Sequence, residues 1–246
     1  MVRPGFFDSS VARSRALLLF IAVLSAAVLA GCAAPVQRQT PELRREAGTI
    51  PTIVVMPLDV ELSQLTAGGM QQPQAEWTEA AHQHMRAALE EEAKVRQVKL
   101  TYFDPEVGDA ADRETSAELV ALHRAVGSAV LVHRYMGQSL PSKQGKFDWS
   151  LGPSVAAISR SHQADYALFL FVRDSYATAG RVAVIAVAAI LGVGVPGGSQ
   201  IGFSSVVDLK TGDIVWFNWL ARGHGDLRTP EAAGETVKAL VSDSLK

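Results

Sequence analysis

Histidine is the residue type best suited to metal binding and proton transfer, and the chain contains six histidines. His82 and His84 lie two residues apart in a segment with helical periodicity, so their side chains point about 200° apart around the helix. They therefore cannot share a metal as ligands at positions i and i+4 of a helix do, and the metalloprotease pattern H-E-x-x-H does not occur. The sequence therefore predicts no metal site, and histidines that pack in the core or lie at the surface.

Patterns for other chemistry are equally weak. The glycine-rich stretch at residues 192–198 lacks the Lys-Ser/Thr pair that a phosphate-binding loop requires. The nucleophile pattern G-x-S-x-G is absent, and serine, histidine and aspartate are too common for a triad to be identified from one sequence. We therefore predict no catalytic residues, no cofactor and a protein that is not an enzyme.

Cys32 is the only cysteine of the chain, and its thiolate is the one side chain nucleophilic enough to form a thioether. It follows Leu29, Ala30 and Gly31 at the end of an apolar run, residues 16–29, that comes after three arginines. The run is shorter than the roughly 20 residues that a spanning helix needs. These residues resemble a bacterial lipobox. The resemblance implies that a diacylglyceryl group is added to the sulfur and that signal peptidase then cuts before Cys32.

The same resemblance divides the chain and predicts its location. Residues 1–31 are expected to be a lipoprotein signal peptide, residues 32–49 a polar tether with two prolines, and residues 50–246 the folded domain. Acyl chains on Cys32 would hold the protein to a membrane. Position 33 is alanine rather than the aspartate that retains enterobacterial lipoproteins at the inner membrane. The outer membrane, with the domain facing the periplasm, is therefore favoured.

Composition and charge exclude several classes of protein. The chain has 246 residues, 48% of them hydrophobic, with 23 Lys and Arg against 25 Asp and Glu. This length and apolar content are enough for a buried core, and the balanced charge argues against a nucleic-acid partner. With no second cysteine for a disulfide, the stability of the domain must come from packing.

Periodicity and turn residues predict a mixed α/β sheet of about five strands with helices packed on it, as a single domain after the signal peptide. An apolar strand covered on both faces should lie at the centre of this sheet. In chain order, we expect a strand at 52–58, a loop at 59–74, a helix at 76–97, a strand at 98–103, a helix starting at a capping box at 115–118, a loop at 136–153, a short helix at 154–162, a strand at 165–175, a hairpin at 204–220 and a closing helix after Thr229.

One segment, residues 182–203, carries no charge, and its first fourteen residues are all apolar or glycine. It could be part of the buried core, an element that lies on or in a membrane, or a contact between subunits. We favour burial, because fourteen residues are too few to span a bilayer. The candidate membrane or subunit contacts are Val182, Val184, Ile185, Val187, Ile190 and Leu191.

Three aromatic residues form a candidate interaction surface: Phe147 and Trp149 in the predicted loop, and Trp219 in the predicted hairpin. Indole is amphipathic and is common at interfaces. The alternative is that these rings pack against the core. Strand alternation places Trp216 and Trp219 on opposite faces of the sheet.

Two phrases of the sequence resemble a known group of proteins. Residues 164–171 read ADYALFLF and residues 206–216 read VVDLKTGDIVW. Both resemble envelope lipoproteins related to the curli secretion channel protein and the amino-terminal domain of TolB. The resemblance implies that the strand after ADY and the later hairpin are neighbours in a mixed sheet. It also implies a non-enzymatic member of an assembly that often forms rings.

The expected function is that of a lipid-anchored periplasmic component, structural or interacting, of an envelope assembly or export system. Its partners would be the membrane, through the acyl chains on Cys32, and other proteins or further copies of itself. The alternative is an envelope hydrolase or a small-ligand-binding lipoprotein that uses the loop at residues 136–153.

Overall fold

The computed structural model describes residues 51–223 and 225–241, and within them seven strands form one mixed sheet. The strands are β1 (Thr52–Val55), β2 (Asp59–Leu65), β3 (Gln71–Pro73), β4 (Lys99–Tyr102), β5 (Tyr166–Ala177), β6 (Gly198–Asp208) and β7 (Ile214–Arg222). The helices are α1 (Ala75–Arg96), α2 (Ala110–Val130), α3 (Ala156–His162), α4 (Ala179–Ile190) and α5 (Pro230–Val241). A π-helical turn, Leu131–Tyr135, extends α2, and two 3₁₀ turns lie at Pro141–Lys143 and Pro153–Val155. The predicted signal peptide, the lipobox residues, Cys32 and the tether lie outside the described residues.

The long strand β5 organises the sheet. On one side its first half pairs in parallel with β1 and its second half pairs in parallel with β2. On its other side β5 pairs with antiparallel β6 along almost its whole length, and β7 pairs with β6. Strand β4 lies outside β1, and β3 lies outside β2. The class of fold is therefore the predicted mixed α/β sheet, with seven strands instead of five.

Helices cover both faces of the sheet and give it two hydrophobic clusters. Helices α1 and α5 pack on one face, where Leu168, Leu170 and Val172 of β5 point. Helices α2 and α3 pack on the other face, where Ala167 and Phe169 point. Since the alternate side chains of β5 are buried on both sides, the prediction of a doubly covered central strand is confirmed.

The two phrases that resemble the envelope lipoproteins are neighbours in this sheet. The first phrase leads into and begins β5, and the second forms the end of β6, the turn and the start of β7. Gly212 in the turn has φ of +82°, a conformation that side chains rarely adopt. A Cβ atom there would lie 2.2 Å from the carbonyl oxygen of Gly152. The predicted hairpin and its glycine turn are therefore confirmed.

The predicted loop at residues 59–74 is wrong, because the structure forms strands β2 and β3 there. Val60, Leu62 and Leu65 are buried, and Glu61 between the first two is only half-buried, so β2 has one face on the core. Its glutamine and serine residues gave the segment the composition of a loop. The pairing with β5, more than a hundred residues later in the chain, is what makes it a strand.

The start of α2 also differs from the prediction. Helix α2 begins at Ala110, and the side chain of Asp109 caps it by accepting a hydrogen bond of 2.8 Å from the amide of Asp112. The Thr-x-x-Glu sequence at residues 115–118 therefore lies inside the helix. The closing helix α5 begins where predicted, with the Thr229 hydroxyl accepting from the amide of Ala232.

Candidate functional site: the exposed apolar helix α4

Helix α4 is well defined at both ends by local chemistry. Its first turn is capped by the Thr178 hydroxyl, which accepts a hydrogen bond of 3.0 Å from the amide of Arg181. At the other end, Gly192 has φ of +73°. The amides of Gly192 and Val193 donate back to the carbonyls of Ala189 and Ala188, a Schellman arrangement that closes the helix.

Although α4 is almost entirely apolar, none of its residues is buried. The expectation that residues 182–195 lie in the core is therefore wrong. The last residues of the uncharged segment, 198–203, begin β6 and include the buried Gln200 and Phe203. The core was already filled by the two clusters on the faces of the sheet, and α4 projects from the end of β5 rather than lying on either face. Its inward side consists of Arg181, Ile185 and Ala188, which are only half-buried.

The candidate contact residues all lie on this helix or directly after it. Ile185 faces inward, where its Cδ1 atom lies next to Gly197. The others are exposed, and exposure is greatest at the far end of the helix, where Ile190 is 84% exposed and Leu191 is 74% exposed. The exposed members of the set are Val182, Val184, Val187, Ile190 and Leu191.

Arg181 fixes α4 to the rest of the domain. Its guanidinium donates to the carbonyl of Ala67 in the β2–β3 turn and to the carbonyl of Pro196 in the segment that returns to β6. One side chain therefore joins three segments at the base of the helix. Sequence analysis did not identify Arg181, because Ala67 is 114 residues away along the chain.

The two stretches of chain that lead into and out of α4 and of the β2–β3 turn carry almost no charge. Residues 62–75 contain no charged residue, and residues 175–207 contain only Arg181. These two stretches meet at the carboxyl ends of β2 and β5. The carboxyl ends of β2 and β5 therefore contribute almost no charge beside an exposed aliphatic helix, in a chain in which 20% of all residues are charged. The charges at this end of the sheet come from other segments, where Arg222 bonds to Gln200 and Arg228 lies over the ring of Tyr176.

The three residues of the predicted aromatic surface pack mainly against the core. Phe147, Trp149 and Trp219 are half-buried and pack against the cluster under α2 and α3. Trp219 contacts Tyr135 at 5.8 Å between ring centroids, and its indole Nε1 is buried without a hydrogen-bond partner. Lys143 lies over the ring of Trp149. The three rings thus contribute to core packing, on a different part of the domain from α4.

One pair of groups that resembles a nucleophile and its base is sealed inside the protein. Nε2 of His123 shares a hydrogen bond of 2.9 Å with the Ser205 hydroxyl, and both residues are buried. The imidazole lies against the rings of Phe169 and Phe203. Burial lowers the pKa of His123 to about 3, so the ring is neutral at ordinary pH. No substrate can reach this pair in the folded domain.

A second buried polar group joins a loop to the sheet. One oxygen of Asp174 accepts hydrogen bonds from the Tyr176 hydroxyl, from Gln200 Nε2 at 2.7 Å and from the amide of Leu227 at 3.3 Å. Burial raises the pKa of Asp174, and these donors partly oppose the rise. Burial and the neighbouring Asp174 carboxylate raise the pKa of Tyr176. The arrangement holds the chain before α5 against β5.

The described residues also form a cleft of about 360 Å³ at the carboxyl ends of β1 and β4, beside α1. Ligands of α/β sheets often bind at such an edge. Four of the polar side chains here pair with one another, since Gln83 donates to Glu79 and Arg86 lies over the ring of Tyr102. The half-buried His82 also lines the cleft. The loop at residues 136–153, which the ligand-binding alternative required, does not line this cleft.

Two further findings concern metals and membranes. Within residues 51–223 and 225–241, no three His, Cys, Asp or Glu side chains come together as a metal site would require. Among the same residues, no helix combines the length and the apolar character needed to cross a bilayer.

The sequence matches no known family and no curated protein. Among solved structures, one similar chain is PelC from Paraburkholderia phytofirmans, a dodecamer, at 12% identity and a TM-score of 0.35, covering 84% of this chain and 98% of that chain. Another is the C-terminal domain of LpoB from Salmonella enterica, at 14% identity and a TM-score of 0.26, covering 71% of this chain and 85% of that chain. Scores this low do not establish a shared fold.

Proposed function

We propose that this protein is a lipid-anchored periplasmic component of an envelope assembly or export system, and that it works by contact rather than by catalysis. The observation that carries the proposal is the surface of α4, where an aliphatic helix projects from the domain with no buried residue. Water-exposed apolar surface of this kind is costly, and soluble domains rarely keep it unless something covers it.

Two observations support contact over chemistry. The His123–Ser205 pair is buried, so it cannot act on a substrate. In the other Ser–His contact, between Ser161 and His162, the histidine Nε2 accepts from a backbone amide, so its Nδ1 carries the hydrogen and cannot take the serine proton. Glu79, Gln83 and Arg86 of the cleft are exposed and have partners nearby, so they do not converge on an empty centre. The lipobox resemblance at Cys32 supports the anchor and the envelope location.

The proposal is tested by placing a photo-crosslinking amino acid at Ile190 in growing cells. A contact surface predicts adducts at Ile190, with protein or with phospholipid, because the position is covered in the cell. Val95, at the end of α1, is the matched control, since it is 70% exposed and aliphatic but lies at the opposite end of the parallel strands. Adducts at neither position would contradict the proposal. Adducts in equal amounts at both positions would show that α4 makes no more contact in the cell than any other exposed aliphatic position.

A further inference from the structure

We propose that α4 and the residues that follow it enter one leaflet of the bilayer that holds the acylated Cys32, giving the domain a second membrane contact. The inference rests on the proposed function, because it takes the lipid anchor as given. The occupant of the apolar surface is then phospholipid, rather than a second copy or another protein.

The first argument is the shape of the apolar surface. Exposure is greatest at the end of α4 that lies away from the domain, where the large aliphatic side chains of Ile190 and Leu191 are 84% and 74% exposed. Helix α4 is about 18 Å long, and half of a hydrocarbon core of roughly 30 Å is about the same depth. The element is therefore too short to span a bilayer but long enough to enter one leaflet.

The second argument is the chemistry of the surface. Protein interfaces concentrate binding energy in Tyr, Trp and Arg and surround an apolar centre with a polar rim. Residues 177–202 contain no aromatic residue, and their single arginine, Arg181, is occupied by carbonyls at the base of the helix. Apolar side chains extend around most of the circumference of α4. The exposed surface of α4 has no aromatic or charged side chain of its own. It therefore fits the hydrocarbon phase of a membrane better than a groove in a protein partner.

The third argument is the satisfaction of backbone groups, since an unpaired amide is costly in hydrocarbon. The amides of Leu191, Gly192 and Val193 donate to carbonyls of α4, so the tip carries its own hydrogen bonds. In the returning segment, Pro196 has no amide hydrogen and its carbonyl accepts from Arg181. The amides of the helix end, up to Val193, are thus suited to a medium that offers few hydrogen bonds, whereas those of Gly194 and Val195 have no partner among the described residues.

The fourth argument is reach. The amino end of β1 lies beside the start of β5, and α4 follows the end of β5. The amino end of β1 and the start of α4 therefore lie about 40 Å apart along a strand of 12 residues, and the tip of α4 is at most about 18 Å further. The chain of roughly 20 residues between Cys32 and Thr52 can extend to about 65 Å. Acyl chains at Cys32 and the tip of α4 can therefore occupy the same membrane.

The test uses the full-length lipoprotein in vesicles of phosphatidylethanolamine and phosphatidylglycerol. Cys32 is the only native cysteine, so the Ile190→Cys variant can be labelled with an environment-sensitive fluorophore. We expect blue-shifted emission that loses most of its intensity when the lipids carry a quencher on their acyl chains. The Val95→Cys variant, exposed at the opposite end of the parallel strands, should emit as in water and lose none. An unchanged melting temperature verifies that Ile190→Cys folds.

Each other outcome overturns the inference. A blue shift without lipid quenching would mean that protein, such as a second copy, covers α4, and emission as in water would mean that nothing does. Whether Cys32 is acylated is measured separately, by exposing the protein without an added cysteine to the same thiol label. If that protein takes up the label, Cys32 is not acylated and the proposed function fails, and Ile190→Cys is then measured in a Cys32→Ser background.

Discussion

Replacing Gly127 by alanine should lower the free energy of unfolding by about 2 kcal/mol or more. A Cβ atom at this position in α2 would lie 2.1 Å from Cε2 of Phe203. The ring of Phe203 is stacked on Phe171 at 4.6 Å and on Phe217 at 5.7 Å between centroids, so it has no room to move. Chemical denaturation of the full chain, compared with the native protein, measures the loss.

Gly234→Ala is the matched control, because it is the same substitution inside another helix. Gly234 lies in α5 with nothing near the position of a Cβ atom. Alanine is the better helix former, so this variant should gain about 0.5–1 kcal/mol. The two changes should therefore have opposite signs. A shift of the same sign in both would contradict the packing described around Phe203.

Acid should destabilise the domain through His123. In the folded protein the pKa of His123 is about 3, compared with 6.5 for an ordinary histidine, because burial disfavours the charged ring. Below pH 6.5 the unfolded chain therefore binds a proton that the folded chain does not. The stability due to this difference falls as the pH falls from about 6.5 towards about 3. Between pH 7 and pH 4 the expected loss is about 3 kcal/mol.

The His123→Gln variant isolates this contribution. Glutamine can still bond to the Ser205 hydroxyl but does not titrate, so the difference in pH dependence between the two proteins reports on His123 alone. Asp174, whose pKa is raised and which therefore favours the folded state in acid, is present in both and cancels. Identical pH profiles would show that the imidazole is not buried as described.

The spacing of apolar residues in the sequence predicted those helices and strands whose structure is determined by their own residues rather than by a distant partner. Helix α1 and strand β5 were found because their apolar side chains recur at helical spacing or form a continuous run. The hairpin of β6 and β7 was found because only glycine suits the backbone at Gly212. Strand β2 was missed because its polar half has the composition of a loop, and only its partner β5 makes it a strand.

The site was only partly predictable. The absence of charge at residues 182–203 marked the segment as unusual, and the residues selected there lie on α4. A run of apolar residues has the same sequence pattern whether it is buried in a core or exposed on the surface. Burial was favoured because the run is too short to span a bilayer. What decides the matter is that other residues fill both faces of the sheet. The hydrogen bonds of Arg181 and the His123–Ser205 pair join segments that are far apart in the chain. No pattern in the sequence could therefore have predicted them.

The measurement that tests the central claim most directly is the mass of the amino-terminal tryptic peptide of the membrane-bound protein. Cleavage before Cys32 and after Arg38 should give a seven-residue peptide, and lipidation adds the mass of a diacylglyceryl group and of any further acyl chain on the amine. The account predicts this acylated peptide as the dominant form. An unmodified peptide of residues 16–38, still carrying the apolar run, would contradict the lipid anchor.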